Sequence, residues 1–316
     1  MSNVNSLPRF LTANTIKPKD RKDIVSIKTG IDLLDEQIIG LNKGEVSVIS
    51  GLNGSGKSSL LSQVALEIVN MGKKVALFSG ELESARVLDW IMLQAAGKWN
   101  TIGSEKYPNY FYVRESVKPD IKEWFEQKLF IYNNNRGNRV DEIMDSISHC
   151  IIHKGVDLVI LDNLMAIDLG SSTYDKMEKQ STFMNAVSKF AKENFVHISL
   201  VAHPRKTIGF LRKDDISGTA DLTNMADNVF IVHRVNEDFK RLSKQTFNWK
   251  ADHPIYENSN VIEVCKNRDL GVQDFFVGLH FEKETKRFKN TLDEEKHYGW
   301  EDIVIADEDI KMPFDL

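Results

Sequence analysis

Apolar residues in this chain fall into short unbroken runs separated by stretches of helical period. Val46 to Ser50 and Val75 to Ser79 read as strands. Between them Leu60, Leu61, Val64, Ala65, Ile68 and Val69 recur every three or four residues, which lays one apolar stripe along a helix. Gly72 provides its stop. Ala85 to Ala96 predicts a second helix, and a variable stretch with Pro108 and Pro119 follows. Val156 to Leu161 is almost continuously apolar, as expected of a strand covered on both faces of a parallel sheet. Met177 to Lys192 predicts a helix with Phe183, Met184, Val187, Phe190 and Ala191 on one side. Strands are predicted at Val196 to Val201, Val229 to Val232, Val261 to Cys265 and Val272 to Val277, the last two joined by a turn at Asp269-Leu270-Gly271. Alternating strands and helices followed by strands alone predict an α/β fold, a mostly parallel central sheet with an antiparallel C-terminal extension.

The pattern weakens at both ends. Residues 1–27, with Pro8, Pro18 and the cations Lys17, Lys19, Arg21 and Lys22, read as an arm or linker. Residues 28–290 form one α/β domain, and 291–316 an acidic C-terminal tail. From Glu301 onward that tail holds six acidic residues against Lys311, and Phe314 sits near its end. It is either a solvated tail or a peptide that docks an aromatic anchor on a basic partner. The formal net charge of −5 excludes a general polyanion-binding surface, so any nucleic-acid contact has to come from local basic loops. Cys150 and Cys265 are too few for a zinc set or a disulfide framework. The start of the chain is polar, and no run approaches the roughly 20 apolar residues that span a bilayer. The expectation is a soluble intracellular protein that makes no membrane contact.

The most specific chemistry lies after the first strand. Gly51-Leu52-Asn53-Gly54-Ser55-Gly56-Lys57-Ser58 fits a phosphate loop between a strand and an amphipathic helix, and Ser59 continues it. Glycines let backbone amides curl around anionic oxygens, and the helix start adds free N–H groups and a favourable dipole. Lys57 is expected on the β- and γ-phosphates, and Ser58 on a magnesium ion. Val159-Ile160-Leu161-Asp162 ends a buried strand in a carboxylate, which suits the same metal. ATP, or another NTP or dNTP, with Mg2+ is the expected ligand. Glu81, after the Val75 to Ser79 strand, is a base for water if that strand neighbours the loop strand, and Glu83 is its rival. His203, after the Val196 to Val201 strand, either reports the γ-phosphate or is merely structural.

Two loops leave the same sheet edge. Residues 168–177 are small and polar; 206–219 carry Lys206, Arg212, Lys213, Gly209 and Gly218, diluted by Asp214 and Asp215. They either grip single-stranded nucleic acid through amides and cations or are plain connections. Lys266 and Arg268 end a late strand; one of the two cations either enters the γ-phosphate site of the next subunit, where a guanidinium would offer paired donors, or both decorate a surface hairpin.

In combination these motifs resemble the hexameric replicative helicases of the DnaB type, most like the helicase domains of the phage T7 primase-helicase and mitochondrial Twinkle proteins. The resemblance covers about residues 28–290. It is carried by Thr29 to Asp35, the phosphate loop, Asp162, Met177 through Lys206, Gly218 through Arg234 with Ala226-Asp227-Asn228-Val229, and Lys266-Asn267-Arg268 followed by Gly271 and Phe281 to Thr285. It implies a RecA-like phosphate-loop NTPase core. Glu81 would activate water, His203 would sense the γ-phosphate, and Arg268 with Lys266 would act across a subunit interface. Arg234 and Phe281 would sandwich the base. The two loops would line a ring's channel, with Arg205, Lys206, Arg212, Lys213 and Gly218 as DNA contacts. It further implies a homo-oligomeric, hexameric ring on single-stranded DNA, the N-terminal arm as a subunit-swapping element, and a primase, a loader or a DNA polymerase as partners, the polymerase through the tail. With a phage origin, the site of action would be the host cytoplasm. Either other proteins supply the primase activity and the DnaB collar, or the chain is a stand-alone helicase. Two other readings share the nucleotide residues: a RecA-like repair or recombination ATPase without processive unwinding, and a nucleotide-switched assembly protein.

Overall fold

A computed structural model describes residues 10–17, 24–170, 176–206, 209–218 and 220–301. Most of the cationic cluster in the N-terminal arm, the middle of the 168–177 loop, part of the 206–219 loop and the acidic stretch with Phe314 lie outside the described residues. The chain runs β1 (Ser26–Ile27), α1 (Asp32–Ile38), β2 (Leu41–Asn42), β3 (Val46–Ser50), α2 (Lys57–Asn70), β4 (Val75–Ser79) and α3 (Ser84–Ala96). It continues β5 (Thr101–Gly103), β6 (Phe111–Val113), α4 (Lys118–Phe125), β7 (Leu129–Ile131), α5 (Val140–Lys154), β8 (Leu158–Asp162), α6 (Lys176–Asn194) and β9 (His197–Val201). It ends with α7 (Ala220–Met225), β10 (Asn228–Arg234), α8 (Glu237–Phe247), β11 (Asn260–Asn267), β12 (Phe275–Glu282) and β13 (Arg287–Lys289).

Nine strands form the central sheet in the order β13-β12-β11-β10-β3-β9-β8-β4-β7. The six from β10 to β7 are parallel, and β11, β12 and β13 extend the sheet antiparallel. This is the expected RecA-like arrangement. Alternation along β8 sorts the side chains: Leu158 and Ile160 pack in one core layer, Val159 and Leu161 in the other. The first layer holds α1 to α4 and the second α5 to α7.

Four features correct the sequence reading. The last hairpin strand begins at Phe275, not Val272, and runs to Glu282, because Gly271 takes a positive φ and 272–274 complete the turn. β7, α4 and α5 arise in the stretch read as variable. The packed unit also passes residue 290: Tyr298 and Trp300 are both 2% exposed and join the first core layer, where the Tyr298 hydroxyl donates to Glu67 at 2.9 Å. Finally, β4 is not beside β3; β9 and β8 lie between them. Glu81 therefore does not reach the phosphate loop by strand adjacency.

Buried polar groups fasten these parts. Asp35 accepts from the Thr29 amide, the Thr29 hydroxyl and the Gly30 amide, so the Thr29 to Asp35 motif is a local clasp ahead of the sheet. Gln63 on α2 donates to the Phe288 carbonyl at 2.7 Å and accepts from the Phe288 amide at 2.6 Å, pairing the free side of β13. His197 is fully buried, 2.7 Å from the Asn42 carbonyl and 2.9 Å from Ser47 Oγ; burial pulls its pKa down to about 4. Among the described residues no helix is long and apolar enough to cross a membrane.

Candidate nucleotide site

The segment read as a phosphate loop, 51–58, connects β3 to α2 at the C-terminal edge of the parallel strands, where strand ends and helix starts converge. Its conformation needs glycine at two points. A side chain at Gly51 would sit 2.3 Å from the Val232 carbonyl, and one at Gly56, which has φ +96°, would strike the Phe288 ring. Asn260 on β11 donates to the Ser55 carbonyl at 2.9 Å, so the antiparallel extension fixes the loop. Lys57 Nζ donates to the carbonyls of Gly51 and Leu52 at 2.8 and 3.2 Å. Burial lowers the Lys57 pKa, against the pull of Asp162 and Glu81.

Asp162, at the end of β8, accepts from Ser58 Oγ at 2.6 Å. One hydrogen bond thus joins the loop to a carboxylate 104 residues away in sequence. Burial raises the Asp162 pKa, partly offset by that bond and further raised by Glu81. Ser58 and Asp162 supply two hard oxygen donors, which fits Mg2+ completed by phosphate oxygens and water. Among the described residues no group of three or more His, Cys, Asp and Glu side chains forms a separate metal site. Ser55 Oγ is buried in the loop without a hydrogen-bond partner, a donor suited to an anion there.

Glu81, just past β4, is 3.0 Å from His203 Nε2 and accepts from Asn163 Nδ2 at 2.5 Å. Asn163 Nδ2 and His203 Nε2 are 2.9 Å apart, so the three side chains close a triangle over the ends of β4, β8 and β9. Asn163 follows Asp162 and is held by the Met165 and Ala166 amides, which bond its Oδ1. Sequence reasoning missed it; its place directly after the strand-ending carboxylate was the available signal. Glu83 sits at the N-cap of α3 and makes no such contact. Arg234, exposed at the end of β10, lines a cavity of about 340 Å3 with Asn53 and Ser55. Phe281 is 37% exposed and packs on Phe288, the ring that abuts Gly56. Phe281 does not line the cavity that Arg234 lines.

Lys266 and Arg268 lie elsewhere. Asn267 pairs with Asn228, and Asn228 with Ser47, so both cations sit at the N-terminal edge of the sheet. They are a β3 length from their own phosphate loop, roughly 15 Å. Lys266 Nζ donates to the carbonyls of Thr223, Asn224 and Ala226, and Arg268 pairs with Asp227 at 2.6 Å while its side chain stays 47% exposed. Asp227 also accepts from the Val46 amide, which explains why Ala226-Asp227-Asn228-Val229 reads as a unit.

The loop cations divide. Arg212 bridges buried Glu263 at 3.0 Å and Asp274, and lies over the Phe247 ring, so it is a packing partner and not a free DNA contact. Arg205 is exposed and donates to the Gly218 carbonyl at 2.6 Å; Lys206 is exposed and Lys213 half-buried.

The profile of the DnaB-like helicase C terminal domain family matches residues 26–290. The replicative DNA helicase DnaB of Mycoplasma pneumoniae is 24% identical over 232 residues, covering 68% of this chain and 48% of that protein. The DNA helicase/primase of Enterobacteria phage T3 is 22% identical over 223 residues, covering 65% of this chain and 38% of that protein. The chain therefore spans about half or less of these relatives. Among solved structures, the ATPase domain of G40P superposes with a TM-score of 0.65 at 17% identity, covering 85% of this chain and 92% of that one.

Proposed function

The chain belongs to the DnaB-like helicase C terminal domain family, and from that premise we propose that it hydrolyses ATP, or another NTP or dNTP, at the seam between subunits of a ring that moves along single-stranded DNA and unwinds duplex. The observation that carries this reading is the junction of Ser58 with Asp162 beside the Glu81–Asn163–His203 triangle. Loop amides and Lys57 bind the phosphates. Ser58 and Asp162 would hold Mg2+, which when bound would neutralise charge on the phosphates. Glu81 takes the proton of the attacking water, and Asn163 and His203 orient its carboxylate. The same contacts let His203 pass a change at the phosphate into the loop that starts at Pro204. Arg234 and Phe281 flank the base.

Arg268 is too far round the sheet to serve its own loop, but exposed enough to serve another. In a head-to-tail ring the N-terminal edge of one sheet meets the phosphate edge of the next, and a heterologous contact of this kind closes into a ring. There Arg268, steadied by Asp227, offers paired donors to the transferring phosphoryl group. Arg205, Lys206, Lys213 and the backbone near Gly218 are the channel contacts; Arg212 serves only by holding that loop to β11 and its turn.

The test is unwinding of a forked duplex with either single-stranded tail blocked in turn. Strand release with ATP and Mg2+, sensitive to one tail only, is the expected result and gives the polarity. Nucleotide turnover without strand release from any fork would overturn the helicase reading and leave a repair-type or assembly ATPase.

A further inference from the structure

A second cationic surface lies away from the nucleotide site. A groove of about 570 Å3 runs between α3, the β5–β6 hairpin, α4 and the β12–β13 turn. Arg86, Lys118, Lys122, Lys283 and Lys286 line it, against the single carboxylate Asp89. That balance is opposite to the chain's own excess of acidic over basic residues, 46 to 41. Lys118 is paired with Glu115 at 2.5 Å. Arg86, Lys122 and Lys286 have no carboxylate partner among the described residues, and Lys283 bonds only the Asn109 amide oxygen, at 2.5 Å. Arg86 and Lys286 face each other closely enough that Arg86, after burial, helps depress the Lys286 pKa. Cations gathered this way, outnumbering the carboxylates Asp89 and Glu115 beside them, suit an anionic ligand that bridges them.

Aromatic rings accompany the cations. Tyr110 is 58% and Tyr112 39% exposed, with centroids 6.1 Å apart on the hairpin, and Trp90 forms the floor under Lys286 at 3.6 Å. Exposed ring faces beside unpaired cations are what single-stranded nucleic acid requires: phosphates meet ammonium groups and bases stack on tyrosines. A purely acidic peptide would use the cations and leave the ring faces idle. The groove is also separate from the channel loops. Val87, Met92, Leu93 and Val113 beneath it belong to the first core layer, whereas Leu211 and Ile216 of the 206–219 loop, and Ile167 just before the other loop, belong to the second, so the sheet lies between them.

We propose that this groove is a second binding site for single-stranded nucleic acid, independent of the channel contacts. It takes from the proposed function only the choice of DNA as probe. Its position has a consequence: α3 starts just after Glu81, and the β12–β13 turn follows Phe281, so an occupied groove ties together the segments on two sides of the nucleotide site.

The test uses the full chain and fluorescein-labelled oligothymidylate, with affinity measured across a salt series. Lys122→Ala with Lys283→Ala should weaken binding at least tenfold at low salt and make the log–log salt slope shallower by about 1.4, at about 0.7 for each lost phosphate contact. Tyr110→Ser should weaken binding with the slope unchanged. DNA-free ATP hydrolysis should stay at the wild-type rate in both variants. Wild-type affinity and slope in the groove variants, with binding lost instead in a Lys206→Ala, Lys213→Ala channel variant, would overturn the groove and leave the proposed function intact. No binding by the wild-type chain would remove both. A labelled acidic peptide of residues 302–316 that binds the chain and is released by the groove variants, while their oligothymidylate binding is unchanged, would assign the groove to a peptide and also overturn the proposal.

Discussion

Acidification should destabilise this fold through His197. The imidazole is buried between β2, β3 and β9, with the Asn42 carbonyl on one nitrogen and Ser47 Oγ on the other. Its pKa falls from 6.5 to about 4, with burial the main cause and the Asn42 bond and Asp227 opposing it. The unfolded chain therefore takes up the proton first. Stability is unaffected above pH 6.5, declines as the pH falls below it, and levels off below about 4. The full drop corresponds to about 3–4 kcal/mol at about 1.4 kcal/mol per pH unit. The assay is urea unfolding of the wild-type chain and of His197→Gln at several values between pH 7.5 and 4.5. Glutamine can still serve both partners but does not titrate, and carboxylates common to both proteins cancel in the difference. The wild-type chain should lose about 2–3 kcal/mol more than the variant over that range, most of the full drop. Parallel stability curves would refute the argument and mean that the imidazole takes up its proton as readily in the folded state as in the unfolded one.

Three further outcomes are expected. Gln63→Leu leaves the buried Phe288 amide and carbonyl unpaired, which costs about 2–6 kcal/mol; the urea midpoint should fall and nucleotide affinity with it, because Phe288 braces Gly56. Ending the chain after Asn290 removes buried Tyr298 and Trp300, about 3–5 kcal/mol for each large aromatic, and should abolish cooperative thermal unfolding, whereas ending it after Glu301 should leave the melting temperature nearly unchanged. Glu81→Gln should bind nucleotide with wild-type affinity and hydrolyse it about 10²–10⁴ times more slowly; turnover at the wild-type rate would remove Glu81 from the base role.

Much of the site was legible because it is local. The phosphate loop is one contiguous segment, and its flanking strand and helix announce themselves by period. The apolar run ending at Asp162 has the same quality, and the family suggested by these motifs is the one matched over residues 26–290. Pairings across the chain were not legible. The strand order that separates β3 from β4 is a property of the whole sheet, so the route by which Glu81 reaches the site could not be read from its own strand. Arg212 looked like a free loop cation because its partners, Glu263 and Asp274, lie more than 50 positions later and on another element. Tyr298 and Trp300 were hidden by charged neighbours, Glu294, Glu295, Lys296 and Glu301, which gave the segment the composition of a tail. Asn163 left no periodic or compositional mark; only the fold brings it against Glu81 and His203.

If the triphosphate is shared between two protomers, two variants that are each inactive should complement one another when mixed. Arg268→Ala subunits keep an intact phosphate loop, and Lys57→Ala subunits keep an intact Arg268. Each alone should show little DNA-stimulated ATP hydrolysis. Mixed in equal amounts, they should recover a substantial fraction of wild-type turnover, because seams pairing one good loop with one good arginine re-form. A mixture no more active than its components, or an Arg268→Ala protein that hydrolyses at the wild-type rate, would contradict the shared site.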